Sequence, residues 1–281
     1  MTTDPPASTK PIVLIHGLWL TPLSWEYWIE RFERRGHRVI APAWPGLDRP
    51  IEEQRRDTSP IDRLGIKEVV DHYDTIVRGL EEPPIIMGHS FGGLITMLLL
   101  DRNLGAAGVA ISPAQPKGVL ILPLPQARVA SVALRNPANR HKAQMLTPKQ
   151  FHYGFTNLLT LEQSQPIYER YAVPGPGRVL FQAGLANFNP NAPSKIDFKN
   201  PQRAPLLVMA NDKDHTVPAS SARATYKLQS RSPSLTELKE YRDRSHFTVG
   251  QDGWEEVADY ALDWAVRQST RAATPTHAGG A

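Results

Sequence analysis

The sequence predicts an α/β protein, in which a mostly parallel sheet of about six strands is covered by helices on both faces. Two observations predict this architecture. Short apolar segments typical of buried strands alternate with segments whose apolar residues recur at helical spacing, and this alternation stops only in the middle of the chain. Repeated strand–helix units build parallel sheets, because each helix returns the chain to the edge where the next strand begins.

Six segments have the pattern of strands. They are residues 12–15, 38–41, 84–87, 107–111, 206–209 and 235–241. Between most of these segments, apolar residues recur every three or four positions, as they do along one face of a helix. The helical segments are residues 25–32, 66–80, 93–100, 222–228 and 257–264.

A proline-rich stretch, residues 113–201, interrupts the alternation, and its pattern is mostly helical. Thr147 followed by Pro148 is a favourable helix start, because proline suits the first helical position. Thr160 and Gln163 have the spacing of a capping box, in which the two side chains satisfy free amides at a helix N-terminus. We therefore expect helices throughout this stretch.

The interruption also predicts the domain organisation. The two outer parts of the chain are expected to complete one sheet and form one core, with the middle part inserted as a helical cap. The last residues have a low-complexity composition that indicates disorder. The predicted divisions are residues 1–112 and 202–270 for the core, 113–201 for the cap and 271–281 for a disordered tail.

The pentapeptide Gly88-His89-Ser90-Phe91-Gly92 has the pattern of a nucleophile elbow, since a short strand precedes it and an apolar helix follows it. Glycine two residues to either side leaves room for the sharp turn, so that the serine hydroxyl projects from the carboxyl edge of the sheet. The following helix directs its first amides and its positive dipole end to the same place. We expect Ser90 to be a nucleophile, and an ordinary strand-to-helix turn is the alternative.

A serine nucleophile needs a base that takes its proton and an acid that orients that base. Candidates for both follow the predicted elbow in the chain. Asp212 and Asp214 come after the strand at 206–209, and His246 comes after the strand at 235–241. The order of nucleophile, acid and histidine matches that of enzymes built around such an elbow.

On these motifs the chain resembles the α/β-hydrolase superfamily over nearly all its length, and it is most similar to capped bacterial esterase-like hydrolases. The resemblance implies an α/β-hydrolase fold, with Ser90 as nucleophile, Asp214 as acid and His246 as base. In the family the acid commonly begins an Asp-x-x-Val-Pro stretch, which matches Asp214 and leaves Asp212 as a structural or loop-capping alternative. The resemblance rests on four segments: His16-Gly17, Gly88-His89-Ser90-Phe91-Gly92-Gly93, Asp214-His215-Thr216-Val217-Pro218 and Ser245-His246-Phe247.

The resemblance also implies an oxyanion hole made of two backbone amides. One belongs to Phe91, the residue after the predicted nucleophile, and the other to Leu18, just after the His-Gly pair. Trp19 is expected to be either a core aromatic or a pocket wall. His16 and His89 are expected to hold their loops rather than to act in catalysis.

The expected function is hydrolysis of a carboxylic ester or a related acyl bond, through an acyl-enzyme formed on Ser90. The expected substrate is a small-molecule apolar or aromatic ester. Alternatives on the same machinery are a lactonase, a C–C bond hydrolase or a cofactor-free perhydrolase, and in a different class a ligand-sensing protein with slow turnover. The cap is expected to shape an apolar pocket. Five of its aromatic residues are candidates for the wall, with packing of the cap itself as the alternative for half or more of them: Phe151, Tyr153, Phe155, Phe181 and Phe188.

Composition excludes several other classes of function. The formal net charge is +4 and the basic residues form no coherent stripe, so no nucleic-acid partner is expected. The chain has no cysteine, which excludes disulfides, thiol nucleophiles and cysteine metal sites. Neither a metal-ligand spacing nor a glycine-rich phosphate fingerprint occurs, so no metal and no cofactor are expected. Because no membrane-spanning run and no signal peptide are visible, a cytoplasmic protein without a membrane partner is expected.

Overall fold

A six-stranded parallel sheet is the centre of the molecule. The computed structural model describes residues 10–271, and these residues form eight strands: β1 Ile12–Ile15, β2 Val39–Ile40, β3 Ile85–His89, β4 Ala107–Ile111, β5 Ala143–Gln144, β6 Gly175–Pro176, β7 Leu206–Asn211 and β8 Thr236–Tyr241. The large sheet has the order β2-β1-β3-β4-β7-β8, and every neighbouring pair in it is parallel. The predicted architecture is therefore confirmed.

The strands differ in burial in the way their sequences indicate. Every residue of β1, β3, β4 and β7 is buried, as expected for the inner strands of a sheet covered on both faces. The prediction of a strand over residues 38–41 was too long. β2 has two residues and pairs only with β1, and short strands are common at a sheet edge, where they offer few free backbone groups to other chains.

Ten helices are found in the described part of the chain: α1 Glu26–Arg34, α2 Ile51–Arg56, α3 Ile66–Arg78, α4 Phe91–Asp101, α5 Leu124–Leu134, α6 Pro148–Phe155, α7 Leu161–Tyr171, α8 Gly177–Gly184, α9 Ala219–Gln229 and α10 Trp254–Arg271. α4 packs on β3 and β4, and it is apolar all round because all but its last residue are buried. α9 packs on β7 and β8, and α10 packs on β3, β4 and β7. α3 packs against α4, and α1 packs against α10.

The segment between β4 and β7, residues 112–205, is called the insertion below. It contains α5 to α8 and the antiparallel pair of β5 and β6. The predicted helix start at Thr147 and the predicted capping box at Thr160 are both confirmed, since each threonine accepts the amide of the glutamine three residues later. Because β4 and β7 are neighbours in the sheet, the insertion begins and ends beside the same strand pair.

The carboxyl ends of the parallel strands lie together at one edge of the sheet, and this arrangement positions the candidate site. β3 ends at His89, β7 at Asn211 and β8 at Tyr241, directly before the elbow and the two loops that carry the predicted acid and base. The predicted tail at 271–281 lies outside the described residues, apart from Arg271, which is the last residue of α10. Within the described range, no helix has the combined length and hydropathy needed to cross a bilayer.

Candidate active site

Ser90 occupies a strained turn between β3 and α4. Its backbone has φ 57° and ψ −120°, a left-handed conformation that costs energy for any residue except glycine. A Cβ on Gly88 would collide with the carbonyl of Gly92, and a Cβ on Gly92 would collide with the carbonyl of Ile15. The two glycines of the motif are therefore required by sterics. The turn is held by the Ser90 amide, which donates to Ile111 O at 2.9 Å.

Asp214 and His246 form a buried pair. Their side chains are fully inaccessible to solvent, and His246 Nδ1 lies 2.7 Å from Asp214 Oδ2. The other carboxylate oxygen, Oδ1, accepts the amides of Thr216 at 2.8 Å and Val217 at 2.7 Å. Three hydrogen bonds thus fix the carboxylate, and the one to Nδ1 assigns the proton to that nitrogen when the ring is neutral.

Asp212 lies on the surface, although it is only two residues away. Its side chain is exposed and pairs with Lys213 Nζ at 3.2 Å. Its backbone amide donates to Tyr241 O, which joins the loop after β7 to the end of β8. Of the two aspartates considered from the sequence, Asp214 alone contacts His246.

His246 lies beside the elbow. Its ring centroid is 4.6 Å from that of His89, the residue before Ser90, and His89 Nε2 donates to His246 O at 2.8 Å. The Phe155 ring also packs edge-on against the His246 imidazole, and the two ring centroids are 4.9 Å apart. His246 Nε2 is buried and has no hydrogen-bond partner among residues 10–271. No hydrogen bond therefore joins this nitrogen to Ser90 Oγ in the structure.

The loop after β1 lies directly against Ser90. A Cβ on Gly17 would be 2.9 Å from Ser90 Cβ and 3.2 Å from His89 O, so only glycine fits. The next residue, Leu18, and Phe91 at the start of α4 are both buried. Neither backbone amide donates to an acceptor within the described range. Free backbone amides near a nucleophile are the kind of donor from which oxyanion holes are usually built.

His16 and His89 are buried and held in the neutral form. Burial lowers the pKa of His16 from 6.5 to about 4 and the pKa of His89 well below its usual range. His16 Nδ1 donates to Gly17 O at 2.9 Å, and its Nε2 accepts the amide of Trp44 at 3.1 Å. Both histidines therefore bind loop backbone, in agreement with the expectation that they hold their loops.

A cavity of about 450 Å³ opens over Ser90. Ser90, Phe91 and Trp19 lie in its wall beside residues of the insertion. Trp19 is also buried and donates through Nε1 to Gln144 O at 2.9 Å, so it has both of the roles considered for it. The residues from the insertion are mostly aliphatic and include Val119, Leu122, Val129, Ala130, Leu134 and Leu180.

Most of the candidate aromatics do not line the cavity. Of the five candidate aromatics, Phe188 alone lines this cavity. Phe151 and Phe155 are fully buried and stack with centroids 4.8 Å apart, so they belong to the packed interior of the insertion. Tyr153 packs against Arg128 and His215, and Phe181 lines a different groove. Helical periodicity does not distinguish a residue that packs the insertion from one that faces the site.

Several residues of the site were not identified from the sequence. The polar side chains of Gln115, Gln126 and Thr216 line the cavity together with the aliphatic residues. The sequence contains one indication of the cavity wall, the apolar run at 119–122. This run is too short for a helix and matches no predicted strand of the sheet. For metal binding, the described residues contain no group of three or more His, Asp or Glu side chains that could hold an ion.

The comparison with protein families gives one match over most of the chain. Residues 12–260 match the model of the "Alpha/beta hydrolase family". No curated protein matched the sequence.

Solved structures with a similar fold include three enzymes. A monoacylglycerol lipase of Paleococcus ferrophilus is 21% identical, with 92% of this chain and 96% of that chain covered and a TM-score of 0.64. Polyneuridine aldehyde esterase is 18% identical, with 92% and 100% covered and a TM-score of 0.64. A pyrethroid hydrolase from Sphingobium faniae is 18% identical, with 91% and 97% covered and a TM-score of 0.65. At these identities the similarity concerns the fold.

Proposed function

Because this chain belongs to the α/β hydrolase family, we propose that it is a serine hydrolase that cleaves carboxylic esters through an acyl-enzyme. The observation that carries the proposal is the buried Asp214–His246 pair, with its 2.7 Å contact, beside a serine held at φ 57°. A buried carboxylate that orients an imidazole close to an elbow serine in the wall of a cavity is the arrangement that activates a hydroxyl for attack on a carbonyl.

In the proposed reaction Ser90 Oγ attacks the carbonyl carbon of the ester while His246 Nε2 takes the hydroxyl proton. The Nδ1–H of His246 stays bonded to Asp214, whose negative charge stabilises the imidazolium. The imidazolium then gives its proton to the leaving alkoxide, and the acyl group remains on Ser90. Water attacks this acyl-enzyme, with His246 again as base, and releases the acid and the free serine.

The negative charge that develops on the carbonyl oxygen needs fixed donors. The free amides of Leu18 and Phe91 are proposed for this role. Phe91 follows Ser90, Leu18 follows the glycine that lies against Ser90, and neither amide has an acceptor among residues 10–271. Each such donor typically contributes about 3 kcal/mol to stabilisation of the transition state.

The cavity supports an apolar ester as substrate. Its aliphatic wall would bind an acyl or alcohol group through burial of apolar surface, and its volume of about 450 Å³ suits a small molecule. The similar solved structures include a monoacylglycerol lipase and polyneuridine aldehyde esterase, which is in line with an ester substrate. We propose that the insertion acts as the predicted cap, because it supplies most of this wall.

The test is hydrolysis of p-nitrophenyl esters of increasing acyl length by the natural chain and by Ser90→Ala. We expect kcat/KM to fall by roughly a thousandfold or more in the variant, with an unchanged circular dichroism spectrum. Many turnovers per chain support the enzyme, whereas a single turnover supports the ligand-sensing alternative. Retention of most of the activity in folded Ser90→Ala would overturn the proposal.

A further inference from the structure

An exposed apolar segment follows β4. Leu120, Leu122 and Leu124 expose 81%, 61% and 85% of their surface, within a stretch that runs directly into α5. Single exposed leucines are ordinary on protein surfaces, but several together on one face mark a surface that contacts another apolar phase or molecule.

A second exposed apolar segment lies beside the first. Leu185 and Phe188, just after α8, expose 54% and 86% of their surface. Asn187 joins the two segments, because its Oδ1 accepts the amide of Gly118 and its Nδ2 donates to Val119 O, both at 2.8 Å. We call Leu120, Leu122, Leu124, Leu185 and Phe188 the apolar rim. Three of them, Leu120, Leu122 and Phe188, also line the cavity over Ser90, so the rim borders this cavity.

The part of the insertion that carries α5 and α6 has an unusual charge. Residues 113–161 contain six lysines and arginines and no aspartate or glutamate, whereas the whole chain has a formal net charge of only +4. None of the six forms a salt bridge with a described residue. They are Lys117, Arg128, Arg135, Arg140, Lys142 and Lys149. By contrast, the basic cluster on α1 is neutralised by Asp259 and Asp263 of α10.

A cationic groove adjoins the rim. It has a volume of about 890 Å³, and its wall includes Arg63, Arg140 and Arg178, with Leu185 of the rim at its side. Arg178 pairs with Glu68 at 2.8 Å, while Arg63 and Arg140 have no carboxylate partner among the described residues. Two cations without a described carboxylate partner, Arg63 and Arg140, thus share a groove with an exposed leucine of the rim.

We propose that the apolar rim, together with Arg63 and the unpaired cations of residues 113–161, forms a docking surface for an anionic lipid bilayer. The leucines and Phe188 would enter the boundary between headgroups and acyl chains, and the cations would bind the anionic headgroups. This proposal rests on the proposed function, since it would bring apolar esters from the bilayer to the opening above Ser90. The earlier expectation of no membrane partner concerned a spanning segment, which such contact does not need.

A second copy of the chain is a poorer occupant of this surface. In a two-fold dimer the same patch faces itself, so the unpaired cations of residues 113–161 would oppose one another. An anionic bilayer complements both the charge and the apolar character of the face.

The test uses the full chain with Ser90→Ala, which removes turnover, and measures cosedimentation with vesicles. We expect binding to vesicles of phosphatidylcholine mixed with phosphatidylglycerol, weaker binding to phosphatidylcholine alone, and loss of binding as salt rises. Adding Leu122→Ser with Leu124→Ser should weaken binding at least about tenfold, and so should Arg135→Glu with Arg140→Glu.

Matched controls lie outside the apolar rim and outside residues 113–161. Leu235→Ser replaces an exposed leucine before β8, and Arg231→Glu reverses an exposed cation after α9, and neither should change binding. No vesicle binding, binding unaffected by the rim and arginine variants, or a dimer that the rim variants dissolve would each overturn the proposal. Vesicle binding requires no catalysis, so a failure to bind vesicles leaves the esterase proposal standing. A failure to hydrolyse a water-soluble ester would affect only the esterase proposal.

Discussion

The imidazole Nδ1 of His246 lies 2.7 Å from Oδ2 of Asp214, and solvent reaches neither side chain. This hydrogen bond keeps the neutral ring in the tautomer whose Nε2 is an acceptor. Burial excludes water from competing for the carboxylate, and two amides satisfy the other oxygen. A carboxylate held in this way can orient a histidine base without taking the proton itself.

Asp214→Asn is expected to reduce kcat by roughly a thousandfold to ten-thousandfold. The amide can present its NH₂ to Nδ1, which favours the wrong tautomer, and it has no charge to stabilise the imidazolium. Ester hydrolysis at saturating substrate measures the effect, and circular dichroism checks that the variant is folded.

Asp212→Asn is the matched control, because it makes the same chemical change two residues away. Asp212 is exposed and pairs only with Lys213, so its replacement should change kcat less than about threefold. If Asp212→Asn were the damaging variant and Asp214→Asn were not, the acid would be assigned to the wrong residue.

Gly17→Ala tests whether the loop after β1 must lie against the serine. The new Cβ would be 2.9 Å from Ser90 Cβ, so the loop or the elbow has to move, and the Leu18 amide moves with the loop. We expect kcat to fall on the order of a hundredfold, since displacements of about 1 Å in such sites have effects of that size. Rates on a short ester measure this.

The control for Gly17→Ala is Gly79→Ala at the end of α3. There the nearest atom to a new Cβ is Thr75 O at 3.4 Å, an ordinary contact, and the backbone φ is −79°. This variant should keep the natural rate. A fully active Gly17→Ala would argue against the Leu18 amide as an oxyanion donor.

The sequence predicted those parts of the molecule that depend on local pattern. Buried strands such as β3 and the amphipathic α3 follow directly from apolar spacing. The helix start at Thr147 follows from the proline after it, and the capping box at Thr160 follows from side chains three residues apart. The pairing of Asp214 with His246 was expected only through the family motif, because a separation of 32 residues leaves no local pattern between them.

The pocket could not be predicted, because it depends on how the insertion packs. Phe155 is an aromatic residue of the predicted cap, yet it fills the interior and contacts the side of His246. Leu120 and Leu122 lie in an irregular segment with no periodicity, yet they border the cavity. Whether a side chain faces the interior or the site is decided by tertiary contacts, which apolar spacing alone does not specify.

Protonation of His16 is expected to destabilise the fold in acid. The neutral ring donates through Nδ1 to Gly17 O and accepts the Trp44 amide at Nε2, and a proton on Nε2 would break the second bond. Burial lowers the pKa from 6.5 to about 4, so between these values the unfolded chain binds a proton that the native chain does not. Stability from this group is complete above pH 6.5 and is lost as the pH falls towards 4.

Urea unfolding followed by tryptophan fluorescence at pH 7.5 and 4.5 measures this effect. We expect His16→Gln to lose less stability between these pH values than the natural chain does, by about 2 kcal/mol. His141→Gln removes an exposed histidine and serves as the control for the loss of one imidazole. Equal pH dependence in His16→Gln and the natural chain would show that His16 does not contribute.

The aliphatic wall of the cavity should decide which acyl groups fit. Ala130 lies on α5 and lines the cavity, so Ala130→Phe would place a ring inside the volume of about 450 Å³ without touching Ser90, Asp214 or His246. We expect kcat/KM for a p-nitrophenyl octanoate to fall at least about tenfold, while that for the acetate changes less than about threefold, because only the longer chain needs the filled space. Phe181→Ala is the control, since Phe181 lines the cationic groove on the other side of α8 and should leave the ranking of acyl lengths unchanged. Equal losses on both esters in a folded Ala130→Phe variant, or a changed ranking in Phe181→Ala, would show that the acyl group binds outside this cavity.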